Sequence, residues 1–383
     1  MSLSVRNLQI AYRTLRGEVQ AVDDVTFEVA DKEIMGLAGE SGSGKSTLGN
    51  SLIFLEGRMR HVGGTVDLDG KPLPISNDRA MHRHRMRDVS IIPQYAMSAL
   101  NPTKKIGSLA RDLLKARGFR LADVLPEFRR RISLVGLPDN VLGMYPFELS
   151  GGMRQRATMV ISTLLNPSLL IADEVTSALD VSNQRAVGEL LTEFRDLGYV
   201  KSMIVITHDL SILAQIADTI TIMYAGKLAE KADASTVIDK PLHPYTQALL
   251  AALPEVGVRY EDKELTGIPG RPPSLLSVLS GCRFQPRCPF ASERCREEPP
   301  FVELLPGHQV ACWKASDEVK GLGGWAQEDA TASVPSVGRA EGEAESLGVA
   351  EGPGLVGPGE ENGTAAGPQV SEDLEASVGK GQP

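Results

Sequence analysis

No stretch of this 383-residue chain approaches the 18 or so apolar residues that a membrane-spanning helix needs. The opening residues, MSLSVRN, lack the basic start and apolar stretch of a secretory signal. Both absences predict a soluble cytoplasmic protein. Cysteine is scarce, and the four present are gathered near one end: Cys282, Cys288 and Cys295, then Cys312. Their spacing, C-x5-C-x6-C-x16-C, contains none of the short C-x2-4-C pairs that structural zinc sites favour. No excess of basic charge is present either, since the net charge is −9. The 11 acids and 2 bases from residue 321 onward leave 38 of each in residues 1–320. The ordered part is thus near neutral, and nothing global argues for nucleic acid.

What is present alternates between strand and helix patterns. Residues 3–30 change from apolar to polar in short runs, which predicts antiparallel strands with one face buried. IMGLAG is a compact apolar strand ending in glycine, and the Gly-rich ESGSGKSTLGNSLIFL after it predicts a turn feeding a helix. Further strands are predicted at 65–76 and 88–93. From Ser98 to about Asn166 apolar residues recur every three or four positions, which predicts an inserted helical subdomain. LLIAD, a helix over about 181–197, SMIVITHD and the hairpin-like TITIMYAGKLAE follow. Strands separated by helices make this an α/β chain with a parallel sheet covered by helices. The ATPase-like part is expected to end near Lys240. Proline-rich loops then mark a separate C-terminal module up to about Lys320, and residues 321–383, rich in Gly, Ala, Glu and Pro, are expected to be a disordered acidic tail.

The sequence Gly39-Glu-Ser-Gly-Ser-Gly-Lys45-Ser46 fits the phosphate-loop pattern G-x-x-x-x-G-K-[ST] between a predicted strand and a predicted helix. Gly39, Ser41, Gly42, Gly44 and Thr47 belong to a backbone cradle for a polyphosphate. Lys45 is expected to reach the β and γ phosphates of ATP, and Ser46 to bind Mg²⁺. At the end of the apolar LLIAD stand Asp173 and Glu174; the first belongs near the metal, and the second can polarise a water for attack on the γ phosphate.

Residues 149–156, LSGGMRQR, resemble the signature of ABC-type ATPases, and Tyr12, Gln94, SALD at 177–180 and His208 in ITHD stand in register with the rest of that family's set. The resemblance implies a P-loop NTPase fold: a RecA-like parallel sheet, an antiparallel β subdomain and an inserted α-helical subdomain. It implies that Tyr12 stacks on adenine, that Gln94 joins Ser46 and Asp173 at Mg²⁺, that Glu174 is the general base and that His208 positions the attacking water. Ser150, Gly151, Gly152 and Gln155 would meet the ATP held by an opposite subunit, with Ser177 and Asp180 in the loop between subunits, so hydrolysis would require a pair. One departure is Val175, where the family commonly has proline.

YPFELSGGMRQR, SALNP, IADEVTSALDV and PLHPYTQALL with IPGRPPSLL look like the ATP-binding subunits of oligopeptide and dipeptide importers, over residues 3–315. That resemblance implies a peripheral protein on the cytoplasmic face of the membrane. It would pair with itself or a related subunit under two membrane-spanning subunits fed by an extracytoplasmic solute-binding protein, with coupling through Tyr95 to Pro102. Members also import nickel, and some relatives oligosaccharides, so the solute is not legible. The four cysteines resemble that subfamily's [4Fe–4S] module; zinc and unligated thiols are the alternatives, and Arg283, Arg287, Arg294 and Arg296 are expected to offset the cluster's charge. DNA-repair or chromosome-structuring ABC ATPases carry long coiled coils between the two motifs, whereas Lys45 and Ser150 are 105 positions apart with no heptad run between them. Translation-associated relatives usually carry two cassettes, and this chain has one. The basic stretches at 81–87 and 128–131 are expected to be solvated faces.

Overall fold

A computed structural model of the chain describes residues 2–94, 99–176, 181–252, 267–276 and 280–322, all within one compact unit, Met1–Ala330. Three short runs without a polar face decide its centre. They form β3 (Ile34–Ala38), β7 (Leu169–Asp173) and β8 (Ser202–Ile206), every residue of which is buried. Strands buried on both faces belong inside a parallel sheet, and β3 pairs with β8 and β8 with β7 in parallel. With β6 (Val89–Ile92), β9 (Thr219–Tyr224), β10 (Lys227–Asp233), β11 (Val302–Leu305) and β12 (His308–Val310) they make an eight-stranded sheet in the order β11-β12-β10-β9-β3-β8-β7-β6.

The alternating segment at the start forms β1 (Leu3–Thr14) and β2 (Gly17–Val29), which join β4 (Met59–Leu68) and β5 (Lys71–Pro72) in a second, antiparallel sheet. The strand expected at 65–76 is therefore two pieces, the first beginning earlier than the apolar pattern suggested. Its early half, RHVGG, carries no alternation; pairing with β1 supplies what periodicity does not. Between the sheets lies helix α1 (Lys45–Ser51), whose Leu48 packs with Met35, Leu37, Ile171 and Ile206. Each such side chain contributes about 1.5–3 kcal/mol of burial, so the segment after the phosphate loop is anchored on two sides.

The inserted block holds α2 (Ile106–Lys115), α3 (Leu121–Leu134) and α4 (Gly151–Thr163). The expectation of solvated basic faces fails here in part: Phe128 and Arg131 are each 1% exposed. Arg131 lies 3.8 Å from the Tyr199 ring centroid, pairs with Glu127 at 2.9 Å, and donates to the Thr163 carbonyl and to Asn166. Those partners offset the cost of taking the guanidinium out of water. In the other stretch Met81 is fully buried and Arg85 donates to the Ile53 carbonyl.

The segment after Lys240 is built onto the main sheet. β12 pairs antiparallel with β10 through Glu230–Val310 and Lys231–Gln309, and β11 covers β12. Glu230, fully buried, accepts from the Leu242 and His243 amides and meets His308 Nε2 at 2.6 Å. The segment also contributes Phe284 and Tyr245 to the principal core. The expected tail begins inside a helix, Trp313–Leu322, and from residue 323 onward it lies outside the described residues, as do the loop residues Tyr95–Ser98 and Ser177 and Asp180.

Candidate phosphate-binding site

The loop between β3 and α1 requires glycine at two places. Gly39 has φ 144° and a side chain there would fall 2.1 Å from the Met223 carbonyl oxygen; Gly44 has φ 106° and 2.2 Å to the Ala21 oxygen. Only a residue without Cβ fits against both backbones. Lys45, 5% exposed, donates to the Gly39 and Glu40 carbonyls at 2.7 and 2.9 Å, so its ammonium sits inside the loop it closes. Burial lowers its pKa, and the nearby Glu174, Asp173 and Glu40 carboxylates oppose that. Thr47 shares a hydrogen bond of 3.2 Å with the Tyr12 hydroxyl, which ties the antiparallel sheet to the loop.

Ser46 Oγ donates to Asp173 Oδ1 at 3.0 Å, bringing together the two residues expected at the metal. Burial pushes the Asp173 carboxyl up to about 6, against the Ser46 bond that lowers it, with Glu174 adding to the rise. Glu174 begins the loop after β7 with φ 45°, a left-handed backbone that costs a non-glycine residue about 1 kcal/mol. Its carboxylate accepts from Gln94 Nε2 at 2.7 Å and lies 3.7 Å from His208 Nδ1. Gln94, Glu174 and His208, from three separate strand ends, thus meet beside the Ser46–Asp173 pair.

Ser150 caps α4, its hydroxyl accepting the Met153 amide at 3.3 Å, with Gly151 and Gly152 forming the first turn. Gln155 is 3% exposed, and its amide donates to the Val175 carbonyl. It therefore connects the signature helix to the residue that follows Glu174, a link the sequence does not announce.

The four cysteines are free thiols, and all line one cavity of about 470 Å³ together with Phe290 and Trp313. Burial raises the Cys282 thiol to about 11 and also raises Cys288 and Cys312, so without a bound metal these are neutral and weakly nucleophilic. Among the described residues no three His, Cys, Asp or Glu side chains are arranged to hold a metal ion. The four arginines are not held in reserve for a cluster. Arg283 pairs with Asp23, Arg287 with Glu40, Arg294 with Asp317 and Arg296 with Glu293. Glu40 belongs to the phosphate loop, and sequence reading missed its contact with Arg287, whose only local trace is an arginine standing before a cysteine.

Residues 22–177 match the family model described as ABC transporter, and residues 229–295 the model described as oligopeptide/dipeptide transporter, C-terminal region. The chain is 38% identical over 320 residues to the oligopeptide transport ATP-binding protein OppD of Salmonella typhimurium, covering 83% of this chain and 95% of that one. To the dipeptide transport ATP-binding protein DppD of Bacillus subtilis it is 39% identical over 317 residues, covering 81% and 94%. Among solved structures, a dimeric ATP-binding cassette in a post-hydrolysis state with ADP and Pi matches with a TM-score of 0.53 at 21% identity, covering 61% of this chain and 98% of that one, a likeness of fold.

Proposed function

The chain belongs to the ATP-binding subunits of oligopeptide and dipeptide ABC importers, and we propose that it hydrolyses ATP to drive peptide uptake through two membrane-spanning subunits served by an extracytoplasmic solute-binding protein. No described helix is long and apolar enough to cross a membrane, so attachment at the cytoplasmic face falls to those partners. The observation that carries the reading is the Glu174 carboxylate held between Gln94 and His208 beside Ser46 and Asp173. Lys45 exchanges the Gly39 and Glu40 carbonyls for phosphate oxygens. Glu174 accepts a proton from the attacking water, while His208, 61% exposed, orients that water and the γ phosphate. When bound, Mg²⁺ neutralises charge on the β and γ phosphates; Ser46, Asp173 and Gln94 are the residues to hold it.

A second subunit presents Ser150, Gly151 and Gly152 to the γ phosphate, and Tyr12 flanks the adenine. Ser150–Gly152 at the start of α4 suit an anion. Glu174→Gln tests the assignment. With permease partners present it is expected to bind ATP and hold the pair closed while phosphate release falls at least a hundredfold; hydrolysis near the wild-type rate removes Glu174 from its role.

The finer reading is a [4Fe–4S] cluster on Cys282, Cys288, Cys295 and Cys312. Its support is chemical: four thiols face one cavity, and the irons of a cubane accept ligands at four separate corners, where a single ion needs them to converge on a point.

A further inference from the structure

Glu40 is the second residue of the phosphate loop, and two groups from the C-terminal segment hold it. Its backbone N–H donates to the Tyr245 hydroxyl at 2.7 Å, and its carboxylate takes a two-pronged contact from Arg287, at 2.6 and 2.9 Å. Arg287, 7% exposed, spends all five of its N–H donors here: on both Glu40 oxygens, on the Tyr224 hydroxyl, and on the Ile268 and Pro269 carbonyls. Tyr224, Tyr245 and Phe284 pack ring against ring beneath it, with centroids 4.6 to 5.3 Å apart. The other end of the loop is held from the same side. Gly226 N donates to the Ser43 carbonyl at 2.8 Å, and the neighbouring Ala225 carbonyl accepts from Arg283, which also pairs with Asp23. Each of these arginines stands beside a cysteine of the four-thiol cavity, Arg283 after Cys282 and Arg287 before Cys288.

We propose that Arg287 is a positioning residue for nucleotide binding: with Tyr245 it fixes the phosphate loop through Glu40, which makes the cysteine segment a working part of the ATP site. Two physical effects give this its sign. The fork fixes the Glu40 end of the loop, so less ordering remains to be done when the phosphates arrive. It also neutralises a carboxylate that would otherwise stand unpaired beside a polyanion. The inference rests on reading the loop as the ATP site, and Glu174→Gln tests that reading independently.

The experiment uses the full chain purified without oxygen, with iron content measured for every variant. Titration with a fluorescent ATP analogue gives Kd, and steady-state hydrolysis with the permease partners gives KM and kcat. Arg287→Met is expected to raise Kd and KM about tenfold, with kcat within about twofold of wild type, unchanged iron content and a melting temperature within a few degrees. Arg287→Lys recovers part of the loss, because one ammonium cannot span both carboxylate oxygens. Adding Glu40→Gln to Arg287→Met removes the stranded charge but does not restore the fork, so it recovers only part of the affinity. Wild-type affinity in Arg287→Met, or full recovery of wild-type affinity in the double variant, overturns the proposal. If Arg287→Met does not fold, Tyr245→Phe, which removes the acceptor of the Glu40 amide, carries the test: weaker nucleotide binding at an unchanged melting temperature supports it, and unchanged binding sinks it.

Discussion

His243 shows how much one side chain can commit the chain to a pH range. Its Nδ1 accepts the Tyr245 amide at 3.0 Å, so the buried ring must be neutral with its proton on Nε2. Burial pushes its pKa down to about 4, against Glu230 and the Ala311 backbone, which favour the charged form. The unfolded ring takes up a proton below about pH 6.5 and the folded one only near 4. Its contribution is therefore complete above about 6.5 and is lost as pH falls from there toward 4. At pH 5 the loss is on the order of 2 kcal/mol. In denaturant melts at pH 7.5 and 5, His243→Asn, whose side-chain oxygen can still cap the helix, should lose less stability than wild type; equal losses would contradict the account. At this scale the sequence was generous where chemistry is local. Lys45, Ser46, Asp173 and Glu174 announce themselves by neighbours in the chain, whereas Arg287 and Gln155 act on partners that no spacing reveals.

Among elements, α3 depends on a residue that looks like surface. FRRR reads as a charged face, yet a helix turns about 100° per residue, so Phe128 and Arg131, three apart, point the same way while Arg129 and Arg130 face solvent. That way is inward, onto Tyr199 and the end of α4. Arg131→Met keeps the stem but loses the Glu127, Thr163 and Asn166 bonds and the stacking, and should lower stability by about 2–4 kcal/mol. A melting temperature within a degree of wild type would show the guanidinium to be dispensable. Helix periods were legible in α2 and α3 because each buries one stripe, whereas α4 is buried all round from Ala157 to Thr163. The first half of β4 was not, since its pairing with β1 is set by partners rather than by its own alternation.

Over the whole molecule, the parallel core and its helices followed from strand-helix alternation, while the place of the C-terminal segment did not. Its proline-rich loops suggested a separate module; in fact β12 lies along β10, and a buried glutamate on β10 meets His308. Pairing between strands distant in sequence leaves no mark in either one. A chain ended after Lys240 would bare the β10 edge and leave Glu230 without His308, and unpaired strand edges recruit other chains. Light scattering on such a truncated protein should show self-association at micromolar concentration, and a monodisperse monomer with the full-length melting temperature would refute this.

The same pairing sets a timetable for synthesis. Domains tend to fold from the N-terminus as the chain emerges, and β10 leaves the ribosome well before His308–Val310 is made. During that interval every growing chain carries an uncovered strand, so a pause in translation between the two would be a hazard that the finished protein never shows.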